Sequence, residues 1–116
     1  MRVNIIINLQ VEGIHCWPDA GQFDVTVQFL EYPHRHIFHI TCEKSVTHDD
    51  RDIEIILFKR AVRDYLEITY MSPTYAMLDF GNMSCEMIAR LLVKDFNLES
   101  CTVLEDGENG AKVMRQ

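Results

Sequence analysis

The chain has 116 residues, 47% of them hydrophobic and 25% charged, a balance that suits one globular domain over residues 1–116 and excludes both disorder and two separate cores. Eleven Lys and Arg stand against eighteen Asp and Glu, for a formal net charge of -7, and no basic run is present to track a phosphate backbone, so no nucleic-acid partner is expected. No stretch approaches the roughly 18 apolar residues of a membrane span, and no small-residue cleavage site follows the apolar N-terminal run, which predicts a soluble cytoplasmic protein with no membrane partner.

In chain order, Val3 to Leu9 is Ile-rich with polar residues interspersed and reads as a strand. Arg35 to Val46, rich in β-branched and aromatic residues, reads as a second strand paired antiparallel with the first. After His48-Asp49-Asp50 the period changes. Ile53, Ile56, Leu57, Phe58, Ala61, Val62, Tyr65 and Leu66 recur at three and four, predicting a helix over about 52–67 with Asp49, Asp50 and Asp52 supplying cap and dipole charge. A linker containing Pro73 and Gly81 follows. Met87, Ile88, Leu91, Leu92 and Phe96 then form a second apolar face, predicting a helix over about 85–96 capped by Ser84. Cys101 to Leu104 reads as a short strand, Asp106-Gly107 and Asn109-Gly110 as turn dipeptides, and Ala111 to Met114 as the returning strand. The fold class is therefore α+β, a ββααββ unit of about four antiparallel strands with both helices on one face. So small a core favours a homo-oligomer.

Cys16, Cys42, Cys85 and Cys101 show no CxxC or other tight spacing, which points to reduced, largely buried thiols and away from a zinc knuckle or a disulfide framework. Histidine is more informative. His34 and His36 lie two apart at the start of a strand, so a period of two turns both to one face. His15 follows the first strand and reaches the same place if the two strands are hairpin partners. Three imidazoles with an open fourth position describe a catalytic rather than a structural Zn2+ site. His39 has the opposite parity. His48 belongs to the strand-to-helix turn, where a His48-Asp49 doublet also allows a metal phosphohydrolase pair.

These residues carry a resemblance. Gly13-Ile14-His15, then His34-Arg35-His36 opening the second strand, Ser84-Cys85-Glu86 before the second helix, and Val103-Leu104-Glu105 on the next strand resemble the 6-pyruvoyl-tetrahydropterin synthase and 6-carboxytetrahydropterin synthase family, over roughly Val3 to Val113. The resemblance implies a T-fold whose sheets join edge to edge in an oligomeric barrel, a hexamer with active sites between subunits. It implies Zn2+ on His15, His34 and His36, with Glu105 anchoring a pterin or purine-like small molecule. A carboxylate suits that task because it accepts two parallel hydrogen bonds from an amino group and the adjacent ring N–H.

The chain departs from the family pattern at two places. The family's proton-abstracting Cys would fall among Gln28 to Pro33, where no thiol stands, and its Leu-Asp-His relay is matched here by Leu78-Asp79-Phe80. Candidate catalytic groups are therefore Asp79 together with Cys16, Glu31 and His48 as substitute bases. Two readings follow: a zinc-dependent lyase with altered chemistry, or an inactive zinc-stabilised T-fold module that binds a ligand or forms oligomers.

Overall fold

The structure, a computed structural model, describes residues 1–116. Strands β1 (Val3–His15) and β2 (His34–Val46) run antiparallel in unbroken register, from Val3 opposite Val46 to His15 opposite His34. The connection between them carries a single helical turn, α1 (Ala20–Phe23), and a kinked 3-10 segment over Val25–Glu31. Next come α2 (Ile55–Tyr70), the short strands β3 (Met71–Ser72) and β4 (Met77–Gly81), α3 (Cys85–Phe96), β5 (Ser100–Glu105) and β6 (Asn109–Met114). The sheet has six strands in the order β3-β4-β1-β2-β5-β6.

Alternation decides which face is buried. Ile7, Leu9 and Val11 of β1, Phe38, Ile40 and Cys42 of β2, and Cys101 and Val103 of β5 share one face of the sheet. They join Phe58, Val62 and Leu66 of α2 and Ile88, Ala89 and Leu92 of α3 in a single apolar cluster. Each such large side chain contributes roughly 1.5–3 kcal/mol on burial. Both helices therefore lie on one face, as the patterning predicts.

Three expectations are corrected. The sheet is mixed and has two more strands than the expected four, because the linker after α2 folds into β3 and β4 and β4 pairs parallel with β1. Leu78 and Phe80 of β4 are buried, so this short alternating run completes the apolar face at the β1 edge. The first strand continues past Leu9 through His15, which ends β1 rather than following it. Finally, the first long helix runs over Ile55–Tyr70, and its cap is Glu54, whose carboxylate accepts from the N–H groups of Ile56 and Leu57. Asp52 instead accepts from the backbone and hydroxyl of Thr47. Helix α3 matches its predicted span, with the Ser84 hydroxyl accepting from Met87 N–H.

Two local features position the site. Gly13 has no side chain because a Cβ there would sit 2.8 Å from the Phe80 ring and 3.0 Å from the Phe38 ring. The turn between β5 and β6 has positive φ at both Asp106 and Gly107, with Glu108 N–H donating to the Glu105 carbonyl, the geometry of a hairpin turn matched to strand twist.

Candidate metal centre

The parity that buries Cys42, Ile40 and Phe38 continues along β2 to His36 and His34. Across the ladder, His15 lies opposite His34 and Gly13 opposite His36, while Glu105 of β5 lies opposite Phe38. Three strands thus deliver three histidines and a carboxylate to one end of one sheet face. One ligand nitrogen from each of His15, His34 and His36 lies within 4.8 Å of the others. Phe38 forms the floor, with its ring edge-on to His15 at 5.2 Å and to His36 at 5.7 Å.

Hydrogen bonds to acceptor-only groups fix the tautomer of each ring. His15 Nδ1 donates to the Met83 carbonyl at 2.9 Å, His34 Nδ1 to the Tyr32 carbonyl at 2.9 Å, and His36 Nδ1 to the Asp106 carboxylate at 2.8 Å. Every Nε2 is then left as a bare lone pair, the form that binds a metal. Nε2 of His15 and of His36 are buried with no hydrogen-bond partner. An orphaned buried nitrogen costs about 1–3 kcal/mol, and two of them facing one point mark a place for a cation. The donor set fits a metal ion on these grounds, and an all-imidazole set suits several divalent transition metals.

Asp106 is itself held. Its other oxygen accepts from Ile37 N–H at 2.9 Å, and that bond, followed by the one from His36, keeps its carboxyl below the usual aspartate range. Burial pushes the His15 imidazole below its ordinary value of 6.5, opposed by the Met83 carbonyl and by Glu105. Glu105 Oε2 lies 3.0 Å from His15 Nε2, and Oε1 lies 3.6 Å from His36 Nε2. The His15 contact is close without being a hydrogen bond, because the ring hydrogen is on Nδ1.

A cleft of ≈ 410 Å³ opens beside the histidines, lined by His15, His34 and Glu105 together with Cys16, Trp17, Asn82 and Cys85. Among the other predicted residues, only Cys16 reaches this cleft. Its thiol donates to Asn82 Oδ1 at 3.3 Å. Glu31 ends the 3-10 segment and accepts from Gly21 N–H at 2.8 Å. Asp79 is exposed, of opposite parity to the buried Leu78 and Phe80, and accepts from Gly81 N–H. His48 lies beyond the far end of β2, roughly 40 Å from His34 at about 3.3 Å per residue, and its Nδ1 accepts from Asp50 N–H. Arg35 occupies the opposite sheet face from the histidines and pairs with Glu12.

Three contributors escaped the sequence reading. Asp106 was legible only as half of a turn dipeptide, although its place directly after Glu105 at the mouth of the site was a usable signal. The Met83 carbonyl is backbone and has no sequence signature. Cys85, recognised only within a capping segment, is a buried thiol that donates to Glu105 Oε2 at 3.7 Å; burial, then the Glu105 charge, pushes it up to about 12. It is a fixed hydrogen-bond donor and not a thiolate.

The four cysteines are free; Cys42, Cys85 and Cys101 are buried, and Cys16 is half-buried. No helix is long and apolar enough to cross a membrane. No protein-family model and no curated protein sequence matches this chain. The case for the site is therefore its own geometry: His15, His34 and His36 form a group that could hold a metal ion.

Proposed function

We propose that the chain is a zinc protein of the tetrahydropterin synthase type, with a T-fold subunit, acting on a pterin or purine-like small molecule in the cleft beside the histidines. The observation that carries this reading is the set of three imidazoles with Nδ1 tied back and Nε2 turned inward. The T-fold part is supported by the antiparallel run β1-β2-β5-β6 with α2 and α3 inserted between β2 and β5; β3 and β4 extend it at one edge.

The residues divide the work by their chemistry. His15, His34 and His36 would hold the zinc, which when bound supplies Lewis acidity toward a substrate oxygen. Glu105, which lines the cleft, is the acceptor for the amino and ring N–H edge of the heterocycle. Cys85 orients that carboxylate, and Trp17, about two-fifths exposed, offers an apolar surface to the ring. Cys16 is the candidate base at the cleft. The edge strand β6 has a ladder partner on one side only, and this edge supports a homo-oligomer, a hexamer by the same resemblance.

The test is binding and turnover of dihydropterins and guanine-like compounds by zinc-loaded protein, compared with His34→Ala. Turnover abolished in the variant is the expected result. Zinc-loaded protein that neither binds nor transforms these compounds overturns the reading. A second reading, a ligand-binding T-fold module without turnover, is favoured by the separation of Glu31, His48 and Asp79 from the cleft. Binding without turnover would select it.

A further inference from the structure

We propose that Glu105 is the fourth ligand of the metal centre in the ligand-free protein, completing a set of three histidines and one glutamate across β1, β2 and β5. The inference rests on the metal-centre part of the preceding reading and changes the resting role of a residue placed there as a substrate anchor.

The two oxygens of Glu105 address two different orphaned nitrogens. Oε2 faces His15 Nε2 at 3.0 Å and Oε1 faces His36 Nε2 at 3.6 Å, and neither nitrogen has a hydrogen-bond partner. With each Nδ1 hydrogen already donated to Met83, Tyr32 or Asp106, these are contacts between lone pairs and repel unless a positive charge lies among them. One proton relieves one such contact. A single divalent cation relieves both, together with the third imidazole. Metal–ligand bonds of about 2.0–2.1 Å in a tetrahedron separate ligand atoms by about 3.4 Å, and each carboxylate oxygen lies within about half an ångström of that separation from the one nitrogen it faces.

The carboxylate is also supported as a ligand should be. Cys85 donates its S–H to Oε2, and Glu105 is the last residue of β5, opposite the fully buried Phe38. Support of this kind orients a ligand and raises metal affinity. A consequence follows for the cleft: a heterocycle that takes Glu105 for its N–H edge must release it from the metal, so ligand entry and opening of the coordination sphere become one event.

The experiment is cobalt loading of the full chain, read by visible d–d absorption and by competition for Co2+ with a chelator, for wild type, Glu105→Gln and Glu105→Ala. Thermal melts of the metal-free forms check folding. The expected result is a four-coordinate wild-type spectrum that changes in both variants, with affinity lower by at least about tenfold, the loss typical of even a supporting residue. Unchanged spectrum and affinity in folded variants overturn the inference and leave the three-histidine centre standing. Wild type that takes up no cobalt overturns the inference together with the metal centre.

Discussion

One alternating set of side chains runs along β2 from Cys42 through Ile40 and Phe38 to His36 and His34, and its two ends behave differently. At the Cys42 end, α2 and α3 cover the face, β2 is paired with β1 on one side and β5 on the other, and the side chains are apolar and fully buried. At the His34 end only the first turn of α3 reaches the face, and the same parity presents imidazoles to an open cleft. The lesson is that a register fixed by a hydrophobic core is inherited by the residues beyond it. A one-residue slip would bury the wrong side of β2 and carry His34 and His36 to the opposite face along with it. Phe38 marks the border, touching Phe80 on the core side and His15 and His36 on the other.

Substitutions on either side of that border sharpen the contrast. Phe38→Ala has the largest expected effect, about 3–5 kcal/mol of stability from a fully buried aromatic, with weakened metal binding as the histidine floor is lost. Ile40→Ala, one alternation further in, should cost about 2–5 kcal/mol and leave metal content unchanged below the melting temperature. Denaturant melts with metal analysis separate the two. If both lose metal equally, the border is not where Phe38 places it.

Next in size is Asp106→Asn. The carboxylate that orients His36 becomes a neutral acceptor, and chelator competition should report about 10–100-fold weaker metal binding with little change in the melt of the metal-free protein. A change below about twofold, far short of that range, would show that His36 needs no such partner.

The smallest effect is on pH dependence. His15 has its folded-state pKa lowered from 6.5, first by burial, so between the two values the unfolded chain binds more protons than the folded one. Stability of the metal-free protein therefore rises with pH through this window and is lost on acidification below about 6.5. Melts in chelator at about pH 7.5 and about pH 5.5 should show this drop, and His15→Asn should reduce it. An equal drop in the variant would assign the dependence elsewhere.

Much of this arrangement was legible in the sequence, for identifiable reasons. A period of two put His34 and His36 on one face, and 3.6-residue spacing with Ser84 gave α3 its span. Local pattern did not reach what depends on distant partners. The pairing of β4 with β1 is parallel and joins segments far apart in the chain, so Met77 to Gly81 read as linker between Pro73 and α3. The cap of α2 fell to Glu54 because Asp52 was taken by Thr47, a choice among nearby acids that spacing does not make. Residue type alone points to Glu31, His48 and Asp79, whereas strand parity turns Asp79 away from the histidines, the length of β2 removes His48, and Gly21 N–H holds the Glu31 carboxylate.

The measurement that bears most directly on the metal centre is metal content per chain in protein purified without added metal, for wild type and for His15→Ala, His34→Ala and His36→Ala. Wild type should carry close to one zinc per chain and each folded variant close to none, and the wild-type melting temperature should fall on chelation. Wild type without metal, or variants that keep it, would contradict a centre built from these three histidines.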